Sequence, residues 1–566
     1  MNRICISIIL LFQLSNISSQ EFFDHSSSLG ITGHFGNYLY LGGGGVSFVD
    51  FNGDGLDDLS FGTASGQTIE FYINKGDHFE LVLPSYVSTT YEHRQIQWID
   101  FDNDEDKDLF VVASNGPNHL YRNDGGNFTE ITSMIGLSVT TKISSGASFA
   151  DIDNDGWLDL YVSNYELPNG GGDNEMYRWN PTLNMYEDYT SNSNTSNGQR
   201  LSFCATFFDM DMDGDQDLYV INDDQLQENS LYMNMGGGSF LDVSVPSGTN
   251  ISIDAMSAGI GDYDNDLDFD IYVSDKQISE FLENNGDNTF TDIAASNGSL
   301  VTDWAWTSNF FDVENDRDLD LYVSTEFPNG GINPFFLNDG TGSYSQPLTA
   351  SGGLTGNDGI SSHSHAMGDF NNNGGTDIML CNTNTNTFRL YSNQNISSNN
   401  FVKIKLKGAN SAKDAYGAIL ELKAGGEKRI FQTHSAVGFN CQNSDVLTLG
   451  LGSHTNIEHL VIRWPYLNSI DTLYNVDLLI NGTNVIEEGI GVINSYLNPI
   501  CKNTHNIVIS PVPTQVYGAM LELNSGTAIQ IDHSVLFQSQ QEINLTNDFE
   551  VPIGASFEAE IMVCGN

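Results

Sequence analysis

The sequence is poor in basic residues and in cysteine. It has 20 Lys and Arg residues against 74 Asp and Glu residues, which gives a formal net charge of −54 over 566 residues. Nucleic acid and anionic membrane surfaces repel so acidic a chain and are not expected as partners. Cations, basic proteins and neutral glycans stay open. Because 39% of the residues are hydrophobic and 11% are aromatic, the chain can bury substantial cores, and its acidity does not indicate disorder.

Long hydrophobic runs are also absent. The most apolar stretch, Ile4–Leu14, follows Arg3 and precedes Ser18 and Ser19. It is too short for a transmembrane helix, which needs about 20 apolar residues, and its flanks predict a secretory signal peptide at residues 1–19. A buried first strand is the alternative. We expect a secreted or cell-surface protein that does not insert into the membrane after signal cleavage.

The cysteines do not form the dense disulfide framework of a small secreted scaffold, because there are six in the whole chain. Cys204 and Cys381 lie in apolar, strand-like runs, where buried thiols are expected. Cys501 and Cys564 bracket the last segment of the chain. They could pair in an oxidising compartment or stay reduced, and the sequence leaves both outcomes open.

One acidic stretch, which reads DIDNDGWLDLYV at its third occurrence, is repeated along the chain. The seven copies lie 50 to 58 residues apart and begin at Asp50, Asp100, Asp151, Asp209, Asp262, Asp312 and Asp369. An apolar run precedes each copy, and short alternating strands with Gly- and Asn-rich turns follow it, which indicates antiparallel β structure. A weaker motif recurs in those later strands, as in LYRNDGGNFTEIT from Leu120. Such units predict propeller blades, and seven blades close a ring.

Within each copy, side chains that offer oxygen ligands fall at positions 1, 3, 5 and 9. Alternate spacing lets a tight loop turn these groups inward around a hard cation of about six to eight oxygen ligands, with the carbonyl of position 7 added. An EF-hand has a bidentate Glu at position 12 between two helices, whereas here position 12 is apolar and lies in a strand. We therefore predict β-hairpin calcium loops with up to seven ions. Acidic turns without metal are the alternative.

The predicted calcium ligands are given loop by loop, and the residue at position 7 contributes its backbone carbonyl. They are Asp50, Asn52, Asp54, Leu56 and Asp58; Asp100, Asp102, Asp104, Asp106 and Asp108; Asp151, Asp153, Asp155, Trp157 and Asp159; Asp209, Asp211, Asp213, Asp215 and Asp217; Asp262, Asp264, Asp266, Asp268 and Asp270; Asp312, Glu314, Asp316, Asp318 and Asp320; Asp369, Asn371, Asn373, Gly375 and Asp377. The last loop keeps only two carboxylates and is expected to bind calcium most weakly.

These repeats resemble the FG-GAP/VCBS repeat family, the calcium-loop propeller units also found in integrin α chains. The resemblance implies that each loop joins the first two strands of a blade on one face of the ring, and that ligands are taken on the opposite face. The following segment resembles the ASPIC/UnbV domain. The matching residues are Asn410, Gly417, Ala418, Gly438, Phe439, Gln442, Leu449, Gly450, Leu451, Gly452, Trp464 and Pro465.

A propeller followed by this domain is the arrangement of the cartilage-acidic-protein-like family, whose members are secreted acidic proteins. The family's basic residue after Asn410 is replaced by Ser411, and no active site is carried over. The predicted all-β organisation is a signal peptide at 1–19, a seven-bladed propeller at 20–397, an ASPIC/UnbV-like domain at 398–490 and a C-terminal β module at 491–566. That last module resembles the small β modules appended to exported bacterial proteins.

No GxSxG, HExxH or CxxC motif and no phosphate-binding glycine loop is present. The candidate ligand-binding residues are His363 and His365 of an HxH sequence, with Trp98, Trp304 and Trp306. Two imidazoles on one strand could bind a metal and a tryptophan could stack on a sugar, although channel lining and core packing are simpler interpretations. The sequence favours an adhesion or protein/glycan interaction module. The alternatives are a polysaccharide lyase or hydrolase acting in the channel and an acidic calcium-buffering matrix protein.

Overall fold

Short β-strands make up most of the regular structure. The computed structural model describes residues 22–34, 36, 43–165, 172–326, 332–346, 354, 361–382, 387–394, 399–474 and 478–497, with three further strands at 517–518, 535–539 and 557–561. The predicted signal peptide, Cys501 and Cys564 lie outside the described residues. The helices of the described part are α1 (Thr190–Ser193), α2 (Ser244–Ser247), α3 (Ala294–Asn297) and a 3-10 turn at Tyr466–Asn468. No helix among those residues is long and apolar enough to cross a bilayer.

Seven antiparallel sheets of four strands follow one another along the chain. After β1 (Phe22–Asp24), the first three contain β2 (Val46–Val49), β3 (Asp58–Phe61), β4 (Glu70–Asn74), β5 (Phe79–Val82); β6 (His93–Ile99), β7 (Asp108–Ala113), β8 (His119–Asn123), β9 (Phe128–Glu130); β10 (Ser144–Ala150), β11 (Asp159–Asn164), β12 (Glu175–Asn180), β13 (Met185–Asp188). The next three contain β14 (Ser202–Phe208), β15 (Asp217–Asn222), β16 (Ser230–Asn234), β17 (Phe240–Asp242); β18 (Ala255–Gly261), β19 (Asp270–Asp275), β20 (Glu280–Asn284), β21 (Phe290–Asp292); β22 (Trp304–Phe311), β23 (Asp320–Glu326), β24 (Phe335–Asn338), β25 (Tyr344–Ser345). The seventh contains β26 (Ser362–Gly368), β27 (Asp377–Asn382) and β28 (Thr387–Asn393), with β1 as its outer strand.

The seven sheets close into a β-propeller. The first strand of each sheet contacts the first strand of the next, in the order β2, β6, β10, β14, β18, β22 and β26, and β26 contacts β2 again. The ring is also closed by β1, because Phe22 to Asp24 pair with Asn393 to Tyr391 of β28. The prediction of an all-β, seven-bladed propeller is therefore confirmed. The closing strand was not predicted, since its pairing joins residues far apart in the sequence.

Burial explains the composition of the strands. All residues of β14 (SFCATFF) and β15 (DLYVIN) are buried, whereas β17 (FLD) buries only its first residue. Each blade packs against a neighbour on both faces, so its two inner strands meet apolar surface on either side. The outer strand lies at the rim and faces water. Inner strands therefore read as continuous apolar runs, and outer strands read as mostly polar.

A second β domain follows the propeller and is built from two four-stranded sheets. Its eight strands are β29 (Asn400–Lys407), β30 (Ile419–Ala424), β31 (Glu427–Gln432), β33 (Val446–Gly452), β34 (His459–Arg463), β35 (Ile470–Tyr474), β36 (Gly482–Glu487) and β37 (Gly491–Leu497), and the short β32 (Cys441–Gln442) between them joins the sheet of the first blade. One sheet has the order β33-β29-β36-β37 and the other β31-β30-β34-β35. Because β37 pairs with β36, this domain extends past residue 490, where the sequence had placed its end.

The C-terminal segment contributes three short strands to the described residues. They are β38 (Tyr517–Gly518), β39 (Val535–Ser539) and β40 (Phe557–Ile561), which pair in parallel. Parallel pairing needs crossover connections between strands rather than tight hairpins. Residues 491–497 belong to the preceding sheet, so the third unit predicted from residue 491 is represented here by these three strands.

The link between β31 and β33 fills the propeller's central channel. This channel segment, residues 433–445, makes hydrogen bonds with the first strand of every blade. The strand residues involved, from blade 1 to blade 7, are Val46, Trp98, Phe149, Phe207, Ala258, Thr307 and Met367. Within the segment, β32 pairs in parallel with β2. The channel is thus occupied by the chain's own residues 433–445.

Candidate metal centres

The seven acidic stretches form tight loops that join the first and second strands of each blade, all at one end of the ring. Positions 4 and 6 have positive φ in every loop. These residues are Gly53 and Gly55, Asn103 and Glu105, Asn154 and Gly156, Met212 and Gly214, Asn265 and Leu267, Asn315 and Arg317, and Asn372 and Gly374. Gly and Asn tolerate this left-handed conformation best. The preference for Asn or Gly at position 4 was visible in the sequence, and sequence reasoning missed it.

Carboxylates at position 9 of every loop, and at position 1 of every loop except the fifth, accept backbone N–H groups that hold the loop together. In the third loop Asp151 accepts the N–H groups of Asp155 at 3.0 Å and Gly156 at 2.8 Å. Asp159, at position 9, accepts the N–H groups of Ile152 at 3.0 Å and Trp179 at 2.7 Å. These bonds turn the remaining lone pairs of both carboxylates toward the loop centre. The same pattern recurs at Asp100 and Asp108 in the second loop.

Four loops bring three carboxylates close enough to share one ion. In each group the ligand atoms lie within 4.8 Å of one another, and the residues occupy positions 1, 3 and 9. The groups are Asp100, Asp102 and Asp108; Asp151, Asp153 and Asp159; Asp209, Asp211 and Asp217; and Asp262, Asp264 and Asp270. Among the described residues, no such group includes His363 or His365.

The donor set fits a hard cation. Both carboxylate oxygens of Asp262 and one of Asp102 are buried without a hydrogen-bond partner. Burial, reinforced by neighbouring carboxylates, raises the pKa of Asp262 and of Asp151 to about 8 and that of Asp108 to about 9. Desolvation and like charge both disfavour the ionised form. A divalent cation bound by oxygen ligands would relieve both costs, so these aspartate clusters could hold one.

The other three loops have positively charged side chains of the second domain near position 1. Lys403 Nζ lies 2.8 Å from Asp369 Oδ2 in the seventh loop. Lys405 Nζ lies 3.5 Å from Asp50 Oδ2 in the first loop. Arg429 Nη1 lies 4.0 Å from Asp312 Oδ2 in the sixth loop. The seven loops are therefore not equivalent, and the four three-carboxylate loops are the stronger candidates for metal.

The weaker repeated motif supplies an asparagine that ties neighbouring blades together. Asn234 donates its N–H to Asp217 at 2.7 Å, and its side-chain amide donates to the carbonyl of Ile152 in the preceding blade's loop at 2.9 Å. Equivalent side-chain bonds to a neighbouring blade come from Asn74, Asn284, Asn338 and Asn393. The motif was recognisable in the sequence, but its role in blade packing became clear only from the structure.

The second domain covers the loop end of the propeller. A Cβ atom at Gly156 would clash with the carbonyl of Asn410, so a side chain there would push the domain away from the third loop. Lys107, next to the second loop's position 9, pairs with Asp414 at 2.7 Å and Asp445 at 2.5 Å. Both acids belong to the second domain. The metal loops and the docked domain therefore share one interface.

The three candidate tryptophans differ in their surroundings. Trp98 is fully buried, stacks on Phe51 with a centroid distance of 4.2 Å, and donates its indole N–H to Ser60 Oγ at 2.9 Å. Trp306 is also buried, and its ring lies 5.0 Å from Phe439 of the channel segment. Trp304 is half-buried at the end of the channel opposite the loops. Only Trp304 is therefore placed where a ligand could reach it.

The two histidines do not face a common site. His363 Nδ1 accepts the N–H of Gly43 at 2.6 Å, and its Nε2 lies 3.0 Å from Glu326 Oε2. His365 contacts Ser324 Oγ at 2.6 Å through Nδ1, and burial lowers its pKa to about 3. A neutral, fully buried imidazole that bonds a neighbouring strand is a packing element. The HxH sequence thus serves to join the sixth and seventh blades.

Comparison with known families agrees with this architecture. A family model described as FG-GAP-like repeat matches residues 50–111, 100–162 and 209–273, and one described as ASPIC and UnbV matches residues 408–489. The chain carries FG-GAP-like repeats and an ASPIC and UnbV domain. Cartilage acidic protein 1 of Xenopus tropicalis is 28% identical over 166 residues. That match covers 27% of this chain and 25% of that protein, so the chain spans about a quarter of the curated relative's length.

Similar solved structures are distant. Sqt1 of Saccharomyces cerevisiae has a TM-score of 0.40 at 10% identity, covering 66% of this chain and 99% of that chain. An Agrocybe aegerita lectin specific for non-reducing terminal N-acetylglucosamine has a TM-score of 0.38 at 16% identity, covering 60% and 88%. The rhamnogalacturonan lyase YesW has a TM-score of 0.28 at 13% identity, covering 61% and 81%. No functional statement follows from similarities at this level.

Glu488 holds the turn at residues 409–411 of the ASPIC and UnbV domain, and the Asn410 carbonyl of that turn lies against Gly156 of the third loop. Glu488 Oε2 accepts the N–H groups of Ala409, Asn410 and Ser411 at 2.7 to 3.0 Å, and its Oε1 accepts the Ser469 hydroxyl at 2.9 Å. Burial alone would raise the pKa of Glu488, but these donors outweigh it and lower the pKa. The lowered pKa means that ionised Glu488 stabilises the fold above its unfolded pKa near 4.5, and that this is lost as the pH falls.

Replacing Glu488 with glutamine is expected to lower the free energy of unfolding at pH 7 by about 1–2 kcal/mol, because three N–H groups lose a charged acceptor. The gap between variant and wild type should shrink as the pH falls below about 4.5 and through the lowered pKa of the folded carboxylate. Urea unfolding at a series of pH values from neutral downward measures this gap. The exposed Glu187→Gln, whose carboxylate accepts from the Asn180 amide at the surface, is the control and should change stability by less than about 0.5 kcal/mol. A gap that does not depend on pH would contradict the role of the carboxylate.

Proposed function

We propose that the protein is exported and acts outside the cell as a calcium-stabilised interaction module that binds a protein or a glycan. One observation carries this proposal: the two ends of the propeller differ. The loop end and the channel are occupied by the chain's own second domain. The opposite end of the ring is therefore the surface on which a partner would bind. Propellers commonly bind their partners at one end of the ring. The function of such a fold depends on the residues of that binding site and not on the fold itself.

Aromatic and charged groups meet at that opposite end. Trp304 begins β22, and Lys276 Nζ lies 4.5 Å from the centre of its ring. Glu326 ends the neighbouring strand β23 and contacts His363. A partly exposed aromatic face beside a cation and a carboxylate suits a sugar ring or a polar peptide segment. We call Trp304, Lys276 and Glu326 the rim cluster.

Calcium is the cation we propose for the acidic loops. The aspartate groups offer only oxygen ligands, several per loop, with backbone carbonyls nearby. Magnesium prefers a small octahedral site and keeps most of its water, whereas calcium accepts many carboxylates at once. Bound calcium would hold the loops that support the docked domain. It would thereby stiffen the whole ring without taking part in partner binding.

A panel of polysaccharides and extracellular matrix proteins tests the proposal. The full chain is incubated with each in calcium and in chelator, and both retention and new reducing or unsaturated ends are measured. Saturable retention without new ends supports the interaction module. New ends would instead support a lyase or hydrolase, although nothing in the filled channel favours one. Calcium uptake without retention on any member of the panel would point to a calcium-buffering matrix protein.

Trp304→Ala is expected to weaken retention on the partner about tenfold, because loss of a stacked aromatic ring costs on the order of 1.4 kcal/mol. The melting temperature should change little, since the ring is half-buried at the rim. Leu226→Ala, 91% exposed on a loop at the same end, is the matched control and should bind like the wild type. Undiminished binding by the Trp304 variant would remove the rim cluster from the proposal.

A further inference from the structure

The seventh loop already contains a cation supplied by the chain itself. Lys403 of β29 is 1% exposed, and its Nζ lies 2.8 Å from Asp369 Oδ2 and 2.7 Å from Asn372 Oδ1. Asp369 is position 1 of that loop. Its carboxylate also accepts the N–H groups of Asn373 and Gly374 at 2.9 and 2.8 Å. Asp151 of the third loop accepts the same two backbone bonds, so the Lys403 ammonium is the additional partner that distinguishes Asp369.

The sequence of this loop also disfavours a divalent cation, because it has fewer carboxylates than the other loops. Positions 3 and 5 are Asn371 and Asn373, so only Asp369 and Asp377 bring negative charge. The four loops with three-carboxylate groups balance a divalent ion much better. A single positive charge matches the seventh loop more closely. In contrast, Asp262 of the fifth loop has two buried oxygens without a hydrogen-bond partner, which is what a metal ligand offers.

The position of Lys403 is fixed by its strand. β29 pairs with β33 on one side and with β36 on the other, so its backbone cannot shift easily. Alternate residues Val402, Ile404 and Leu406 pack in the domain core. Because side chains alternate along a strand, Lys403, Lys405 and Lys407 share the opposite face. Lys405 approaches Asp50 and Lys407 pairs with Glu105, in the first and second loops.

We propose that the Lys403 ammonium is the resident cation of the seventh loop and that this loop does not bind calcium in the intact protein. The ammonium contacts Asp369 Oδ2 at position 1 and Asn372 Oδ1 at position 4, and it neutralises the carboxylate that calcium would neutralise in the other loops. The seventh loop then serves as a docking point for that domain, independent of calcium concentration. This inference rests on the proposed function only in assuming that other loops bind calcium.

Counting bound calcium by equilibrium dialysis of the full chain tests the inference. Asp369→Asn is expected to bind as many ions per chain as the wild type, whereas Asp262→Asn should bind one fewer. Asn371→Asp adds a third carboxylate to the seventh loop and should still gain no ion while Lys403 is present. Combining Asn371→Asp with Lys403→Met should add one ion. The matched control combines Asn371→Asp with Lys428→Met, whose lysine pairs with Glu421 at the surface, and should add none.

Loss of one ion in Asp369→Asn would overturn the inference, as would a gain of one ion in Asn371→Asp alone. If Asp369→Asn fails to fold, the two Asn371→Asp combinations decide the question, because both keep Asp369. A wild type that binds no calcium at all would defeat the calcium proposal for the other loops. The inference about Lys403 would then stand or fall on whether only the Lys403→Met combination gains an ion.

Discussion

Replacing Gln442 with alanine is expected to lower the free energy of unfolding by about 3–5 kcal/mol, because several buried polar groups lose their partner together. Gln442 is fully buried in the channel segment. Its Oε1 accepts the Trp98 N–H at 2.8 Å and the Ser47 hydroxyl at 2.9 Å. Its Nε2 donates to the Trp98 carbonyl at 2.8 Å and to Tyr416 Oη at 3.3 Å. One side chain thus joins two blades to the second domain.

Chemical unfolding followed by tryptophan fluorescence measures the effect, since Trp98 reports directly on this site. Gln277→Ala is the control. Gln277 is exposed, and its amide lies 3.4 Å from Asp254, so its loss should cost less than about 0.5 kcal/mol. A cost below about 1 kcal/mol for Gln442→Ala would mean that the channel segment is not an integral part of the propeller core.

Asp262→Asn is expected to act in opposite directions with and without calcium. In chelator at pH 8 the buried Asp262 carboxylate faces Asp264, Asp266 and Asp268 with no bound metal to offset their charge, so removing its charge should raise or leave unchanged the free energy of unfolding. In saturating calcium the same change removes a ligand. The calcium-linked stabilisation should then fall by about 2–3 kcal/mol, which corresponds to binding at about a hundredfold excess over the dissociation constant.

The same carboxylate predicts a pH dependence. Burial and neighbouring carboxylates raise the pKa of Asp262 from 3.8 to about 8 in the folded chain. Unfolding releases it to ionise freely, so in chelator the wild type should lose stability as the pH rises from about 4 to 8. In Asp262→Asn the free energy of unfolding should fall less steeply with pH, because this carboxylate is gone. The exposed Asp303→Asn is the control and should keep the pH dependence of the wild type. If the calcium-dependent shift in melting temperature were unchanged in Asp262→Asn, the fifth loop would be excluded as a metal site.

The propeller and its loops were accessible from the sequence because their signals are local. Each loop, with Asp at positions 1 and 9, lies within a few residues of its strands, and the repeat shows it seven times. The buried inner strands are likewise recognisable in the sequence as apolar runs. The prediction that Cys204 and Cys381 are buried is confirmed, since both are free and buried.

The interface between the two domains was not accessible in this way. Gln442 and Trp98 are 344 residues apart, and nothing in a local pattern shows that residues 433–445 thread the ring. The alternation of Lys403, Lys405 and Lys407 with apolar residues is typical of a strand with one polar face, but it does not show that this face meets the acidic loops. His363 and Trp306 lie on first strands that surround the channel, as the sequence suggested, but the sequence did not show that a distant part of the chain occupies the channel.

Calcium counting on the intact chain tests the central claim most directly. Equilibrium dialysis of the wild type at saturating calcium should give at least four ions per chain, one for each three-carboxylate group, and fewer than the seven that the repeat count alone suggests. Chelation of those ions should lower the melting temperature. A chain that binds no calcium, or one whose melting temperature is the same in calcium and in chelator, would contradict the account of a calcium-stabilised module.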